Sequence, residues 1–261
     1  MTLGPAVWVL FVLLGAVAGG YGVIVGAGGG FIIAPLLLLL LHLRPTVAAG
    51  TSLTIVFLNA VSGTIGYARQ RRIDFRTGLQ LSLPAAPGTF VGATLTRVVS
   101  PGIFHALFGA LLVALATYLA VRPVPRRPPP AAPVAAEPRA VPQRPLNVTL
   151  MALGLGLGVI SGFFGIGAGW LIVPMLVYLY GVPPHVATAT SIFSLAVYSL
   201  AGVFEFAREG AVLWPVVAPT AFGAIIAAQV GAHLSRSISG SGLVRLLALL
   251  LAAIGVGLLV R

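Results

Sequence analysis

Four long apolar stretches fill the first part of the chain, residues 3–43, 46–68, 78–97 and 102–121, separated by short segments in which arginine, proline and one aspartate gather. About 20 apolar residues cross the hydrocarbon core of a bilayer at 1.5 Å of rise per residue, so the pattern reads as membrane-spanning helices. The first stretch is roughly twice as long as one crossing needs, and residues 146–181 show the same excess. In both, a glycine cluster interrupts the run, GAGGG at 26–30 and GIGAG at 165–169. Closely spaced glycines are poor helix formers, so each long stretch is expected to break there. The piece after the first cluster, near residues 31–42, is too short to cross easily alone. The expectation is an all-α polytopic membrane protein of about eight to ten helical elements, with helices broken at the glycine-rich segments.

The breaks belong to a larger regularity. GAGGGFIIAP (26–35) aligns with GIGAGWLIVP (165–174), RPTVAAGTSL (44–53) with PPHVATATSI (183–192), and GATLTR (92–97) with GAHLSR (231–236), always at an offset of 139 and without a gap. The chain therefore reads as two tandem homologous halves, 1–121 and 146–261. Between them lies RPVPRRPPPAAPVAAEPRAVPQRP (122–145), a polar, polyproline-like tether placed in the cytoplasm by its arginines. An odd number of crossings per half would turn the second half over. The loop RQRRIDFR (69–76) is strongly positive, whereas its counterpart REGAVLWP (208–215) has lost that excess, which favours an inverted repeat.

Composition sharpens the class. Hydrophobic residues make up 59% of the chain and charged residues 7%, far too few charges to clothe a soluble surface. The net charge of +11 sits in loops between apolar runs, with no basic helix face, so it describes membrane topology and not nucleic-acid binding. There is no cysteine, which removes thiol catalysis and thiolate metal sites. The four histidines, His42, His105, His185 and His233, do not recur at the offset, and no metal site or cofactor is expected. An intramembrane enzyme would need a nucleophile or metal with acid–base partners, which these few groups do not supply. No phosphate-binding GxxxxGK[ST] segment is present, so ATP hydrolysis by this chain is not expected.

Candidate chemistry centres on the breaks. A helix that begins at residue 31 or 170 aims unpaired N–H donors and the positive end of its dipole into the gap, a setting for a small anion that needs no lysine. Gly26, Gly28, Gly30, Gly165, Gly167 and Gly169 are the candidate backbone ligands; the competing role is close helix packing. Thr51 and Ser52, with Thr190 and Ser191 at the same places in the second half, either donate to an oxyanion or bond their own helices. Asn59 lies deep in an apolar run and needs a partner, protein or substrate. Arg97 and Arg236 end equivalent runs, where they either attract anions or snorkel to headgroups. Glu205 is the carboxylate nearest the lipid core, placed either for proton coupling or for an interfacial contact with Arg208. Asp74 is expected to pair within its arginine-rich loop. Trp8, Trp170 and Trp214 are candidate interfacial anchors, Trp170 alternatively a pocket wall.

Taken together, GAGGGFIIAPLL, AAGTSL, RRIDFR and PGTFVGATL, with the second copies GIGAGWLIVPML and ATATSI, resemble the TauE/SafE sulfite exporter family, also called the 4-toluene sulfonate uptake permease family. The second copy departs from the first at Ala168 and Ala189, each standing for a glycine. The resemblance implies a multi-pass inner-membrane carrier of small anions such as sulfite, sulfonates or sulfoacetate. The leading expectation is a secondary transporter working by alternating access, and the alternative is a passive anion channel. Expected partners are the anion and the lipid bilayer, with no nucleic acid; homo-oligomerisation is left open.

Overall fold

A computed structural model describes residues 4–121 and 148–238, with isolated helical positions at 242, 249, 252 and 256. The proline-rich tether and most of the last apolar run of the second half lie outside the described residues. Those described are helical: α1 Pro5–Val25, α2 Gly30–Leu40, α3 Pro45–Arg69, α4 Phe75–Leu95, α5 Pro101–Val121, α6 Val148–Phe164, α7 Gly169–Tyr178, α8 Pro184–Arg208 and α9 Trp214–Leu234. Five of them, α1, α3, α8, α9 and α5 over Pro101–Tyr118, are long and apolar enough to cross a membrane. The helices α2, α6 and α7 are also apolar but shorter.

Local chemistry sets the ends. Proline opens α1, α3, α5 and α8, where its missing N–H costs nothing. Asp74 caps α4: one carboxylate oxygen accepts the Thr77 N–H at 3.1 Å and the other the Thr77 hydroxyl at 2.7 Å. That corrects the expectation of an arginine partner for Asp74, since the helix N-terminus it opens offers its carboxylate a nearer donor. The chain breaks at both glycine clusters. Gly26 ends α1 in the left-handed region (φ +80°), and its N–H and those of Ala27 and Gly28 fold back onto Gly22 and Val23 carbonyls. Gly165 (φ +65°) ends α6 similarly, with its N–H on the Ser161 carbonyl at 2.9 Å.

Contacts fix the directions in which the helices run. Along α3 and α8, Gly50 meets Phe206, Leu53 meets Gly202 and Gly63 meets Ile192, so these two central helices are antiparallel. They also begin and end 139 residues apart. Helix α9 runs parallel to α3, through Thr51–Leu213, Ser62–Ile225 and Gln70–Ala232 hydrogen bonds. Helix α4 runs parallel to α8, through Asp74–Thr190 and Ser194–Gly78. The outer pairs are exchanged between halves. Helix α1 lies along α9, with Gly15 against Thr220 and Gly19 against Ala224, and α6 lies along α4, with Gly154, Gly158 and Gly162 against Leu81, Ala85 and Thr89. Four-residue spacing puts those three glycines in one line on α6, where the neighbouring backbone approaches too closely for any Cβ.

Asn59 reaches Gly19 of α1 while Tyr67 reaches Val23, so α1 and α3 are also parallel. Helix α2, between them in sequence, must therefore run back toward the end where α1 began. Its 11 residues cover only about 16 Å, half a bilayer, so α2 turns back beside α1, with Gly29 against the Ala18 carbonyl, and the turn lies inside the protein.

Candidate functional site

Helix α6 runs parallel to α4 and so to α8, which makes α7 between them turn back as α2 does, and the tips of the two turns meet in the interior. Gly30 lies against the Ile166 carbonyl of the other tip, and Gly169 against the Gly26 carbonyl. Gly28 (φ +76°) and Gly167 (φ +72°) adopt left-handed conformations that side chains rarely tolerate, and both face Val56 and Leu195. No side chain caps either short helix. Among the described residues, the N–H groups of Gly30 and Phe31, and of Gly169 and Trp170, have no acceptor. Two orphan helix starts with their dipoles pointing inward thus face each other at one place.

Side chains from α3 and α8 hold the tips. Ser191 Oγ donates to Gly26 O at 2.8 Å and Gly169 O at 3.2 Å, tying one tip to the other, while Ser52 Oγ makes a longer contact to Gly30 O at 3.4 Å. Asn59 Nδ2 donates to Gly28 O at 2.9 Å, and its Oδ1 is buried with no partner among the described residues. At the position matching Asn59, Tyr198 accepts the Ala168 N–H at 2.6 Å through its hydroxyl. Sequence reasoning misses Tyr198 and Tyr67; laying Asn59 on its counterpart at the offset is the signal that finds the former.

Other candidates lie elsewhere. Thr51 and Thr190 turn away from the tips: each hydroxyl accepts the backbone N–H just ahead of the opposite half's helix, Leu213 at 3.0 Å and Asp74 at 3.0 Å. Arg97, nearly half exposed, bonds Glu205 at 3.2 Å and pairs with Glu209. Glu205 is fully buried beneath Arg97 and Arg208, the latter at 2.9 Å, so the interfacial contact expected for it is present. Arg236 is exposed at the end where Arg69 and Arg72 lie. Arg72 donates to Gln70, to Ser235 at 3.0 Å and to the His185 carbonyl at 3.3 Å, and burial pulls its pKa below the usual arginine value. Trp170 is completely buried beside the second tip and so is not an interfacial anchor, while Trp8 and Trp214 are exposed. Among the described residues no cluster of metal-ligating side chains occurs.

Two short helices that turn back inside an apolar helical bundle are the arrangement of a multi-pass membrane protein with a broken-helix core. The sulfite exporter TauE/SafE family profile matches residues 11–258, and the chain belongs to that family of membrane transporters. Its relatives include the probable membrane transporter protein YunE of Bacillus subtilis (strain 168), 28% identical over 264 residues covering 95% of this chain and 96% of the relative. YdhB of the same organism is 30% identical over 227 residues, covering 86% and 87%. The probable membrane transporter protein MJ0441 of Methanocaldococcus jannaschii is 25% identical over 265 residues, covering 96% and 94%. No solved structure matches.

Proposed function

We propose that the chain is a secondary carrier that moves a small anion, such as sulfite, a sulfonate or sulfoacetate, across the cytoplasmic membrane by alternating access. The observation that carries this reading is the meeting of two uncapped helix starts, one from each half, whose free N–H groups are held in place by buried side chains. Such a pair binds negative charge without burying a cation, and so avoids the cost of an unpaired arginine in lipid. The antiparallel course of α3 and α8, whose bounds match at the 139-residue offset, supports an inverted repeat. In an inverted repeat each half presents the same tip from opposite sides, the geometry that lets one site open alternately to either face. Positive-inside placement puts the end that carries Arg69, Arg71, Arg72 and Arg236 in the cytoplasm.

The backbone of Gly26, Gly28, Gly30, Gly165, Gly167 and Gly169 is the proposed cradle, with Ser52, Ser191 and Asn59 supporting it and Thr51 and Thr190 docking the two halves. Arg97 and Arg236 mark the two ends of the path, and Glu205 belongs to the ionic cluster at the Arg97 end. The test is labelled sulfite or sulfoacetate flux in proteoliposomes, with and without unlabelled anion trapped inside and with and without a pH gradient. A carrier gives flux accelerated by trapped anion, whereas a passive channel gives flux indifferent to it. Gly28→Leu and Gly167→Leu are expected to abolish transport while the protein still inserts, and wild-type flux in both would end the proposal of a site at the tips.

A further inference from the structure

Positions 56 and 195 correspond at the offset, as do 28 and 167, and all four converge. Val56 and Leu195 are fully buried. A Cβ on Gly28 would overlap Leu195 Cδ2 and stand 3.2 Å from Val56 Cγ1; one on Gly167 would stand 2.5 Å from Leu195 Cδ1 and 3.2 Å from Val56 Cγ1. A single leucine side chain thus fills the space in front of both tips, and a valine fills the space beside it.

Polar groups flank this pair. On α3, Ser52, Val56 and Asn59 succeed one another at four- and three-residue steps and so share one face; on α8, Ser191, Leu195 and Tyr198 do the same. Ser52, Asn59 and Ser191 each donate to a tip carbonyl, and Tyr198 accepts a tip N–H. The face turned toward the tips therefore reads polar, apolar, polar on both helices. The apolar layer is about one helical turn thick, ~5 Å. A layer that thin blocks ions by excluding water.

We propose that Val56 and Leu195 form the barrier of the transport path, an apolar layer that seals the gap between the tips and yields only when a tip carrying the anion withdraws from it. Leu195, which abuts both tips, is the principal element. The barrier rests on the reading of the chain as a carrier. It predicts that shortening Leu195 converts a coupled carrier into a leak.

The test is labelled-sulfite flux in proteoliposomes. In the wild type, unstimulated flux is expected to be low and trapped sulfite to accelerate it. In Leu195→Ala, unstimulated flux should rise several-fold and the acceleration should shrink toward none, while the volume-conserving Leu195→Met should keep wild-type behaviour. Wild-type acceleration retained unchanged in a folded Leu195→Ala protein overturns the barrier alone. Wild-type flux that trapped sulfite never accelerates overturns the carrier reading and the barrier with it. Should Leu195→Ala fail to fold, Leu195→Cys serves, because the chain has no cysteine of its own and this thiol would be unique. An anionic methanethiosulfonate is expected to label it slowly at rest and several-fold faster during sulfite exchange; an equal rate in both conditions overturns the proposal.

Discussion

Ser52 and Ser191 are equivalent in sequence but unequal in the structure, and the difference can be measured. Ser191 Oγ bridges Gly26 O and Gly169 O at 2.8 and 3.2 Å, and Gly26 O has no other donor among the described residues. Ser191→Ala removes that donor without opening a cavity, leaving a buried carbonyl unsatisfied at a cost of about 1–3 kcal/mol. Interhelical hydrogen bonds in membranes average about 0.6 kcal/mol and reach about 1.7, so the expected loss is about 1–2 kcal/mol. Ser52 Oγ contacts Gly30 O at 3.4 Å, at the limit of a hydrogen bond. Ser52→Ala should therefore cost less than about 0.5 kcal/mol, the range of a substitution that removes no strong contact. Thermal unfolding in detergent reads the contrast, since 1 kcal/mol shifts the midpoint by about 2–4 °C in chains near this size. Equal losses, or a larger loss for Ser52→Ala, would refute the view that the tips are tied mainly through Ser191.

Four other substitutions probe the packing and the ionic cluster. A leucine at Gly158 has to push α6 off the Ala85 backbone and should cost about 3 kcal/mol or more, whereas Gly156→Leu, which faces open space, should not lower the unfolding midpoint and should raise it slightly, by the about 0.5–1 kcal/mol of better helix propensity. Arg97→Ala strips one of two arginines from the buried Glu205 carboxylate, so it should lower stability measurably, and the deficit should shrink in the Arg97→Ala/Glu205→Gln double variant, which leaves only the lost Arg97–Glu209 pair. Glu205→Gln should retain pH-gradient-driven sulfite flux, because the carboxylate serves the ionic cluster; loss of that flux would assign it the coupling proton instead.

Much of the fold is legible in the sequence because it rests on local signals. Glycine clusters announce the breaks, and the short helices start at Gly30 and Gly169, one residue from the positions expected. Prolines at 45 and 184 mark the starts of the next two long helices. Partners across the molecule are not legible. Nothing near Thr51 in the chain reveals that its hydroxyl serves Leu213, 162 residues away, and nothing near Arg97 points to Glu205 or Glu209. Val56 and Leu195 look like any apolar residues in an apolar helix, and only the approach of two glycine tips distinguishes them. Counting nearby arginines misplaces Asp74, because the count neglects the donors that a helix start provides.

The exchange of outer helices has a consequence for biogenesis. Helix α1 finds its glycine-matched neighbour only in α9, about 200 residues later in the chain. At ribosomal rates of about 5–20 residues per second, α1 waits in the bilayer for roughly 10–40 s before that neighbour exists. During this interval Gly15 and Gly19 have no backbone to rest against, and any other small-residue helix in the membrane competes for them. Assembly must therefore finish from the C-terminal side, and truncation before α9 leaves the Gly15–Gly19 face of the first helix unclaimed, although α3 already holds its other side.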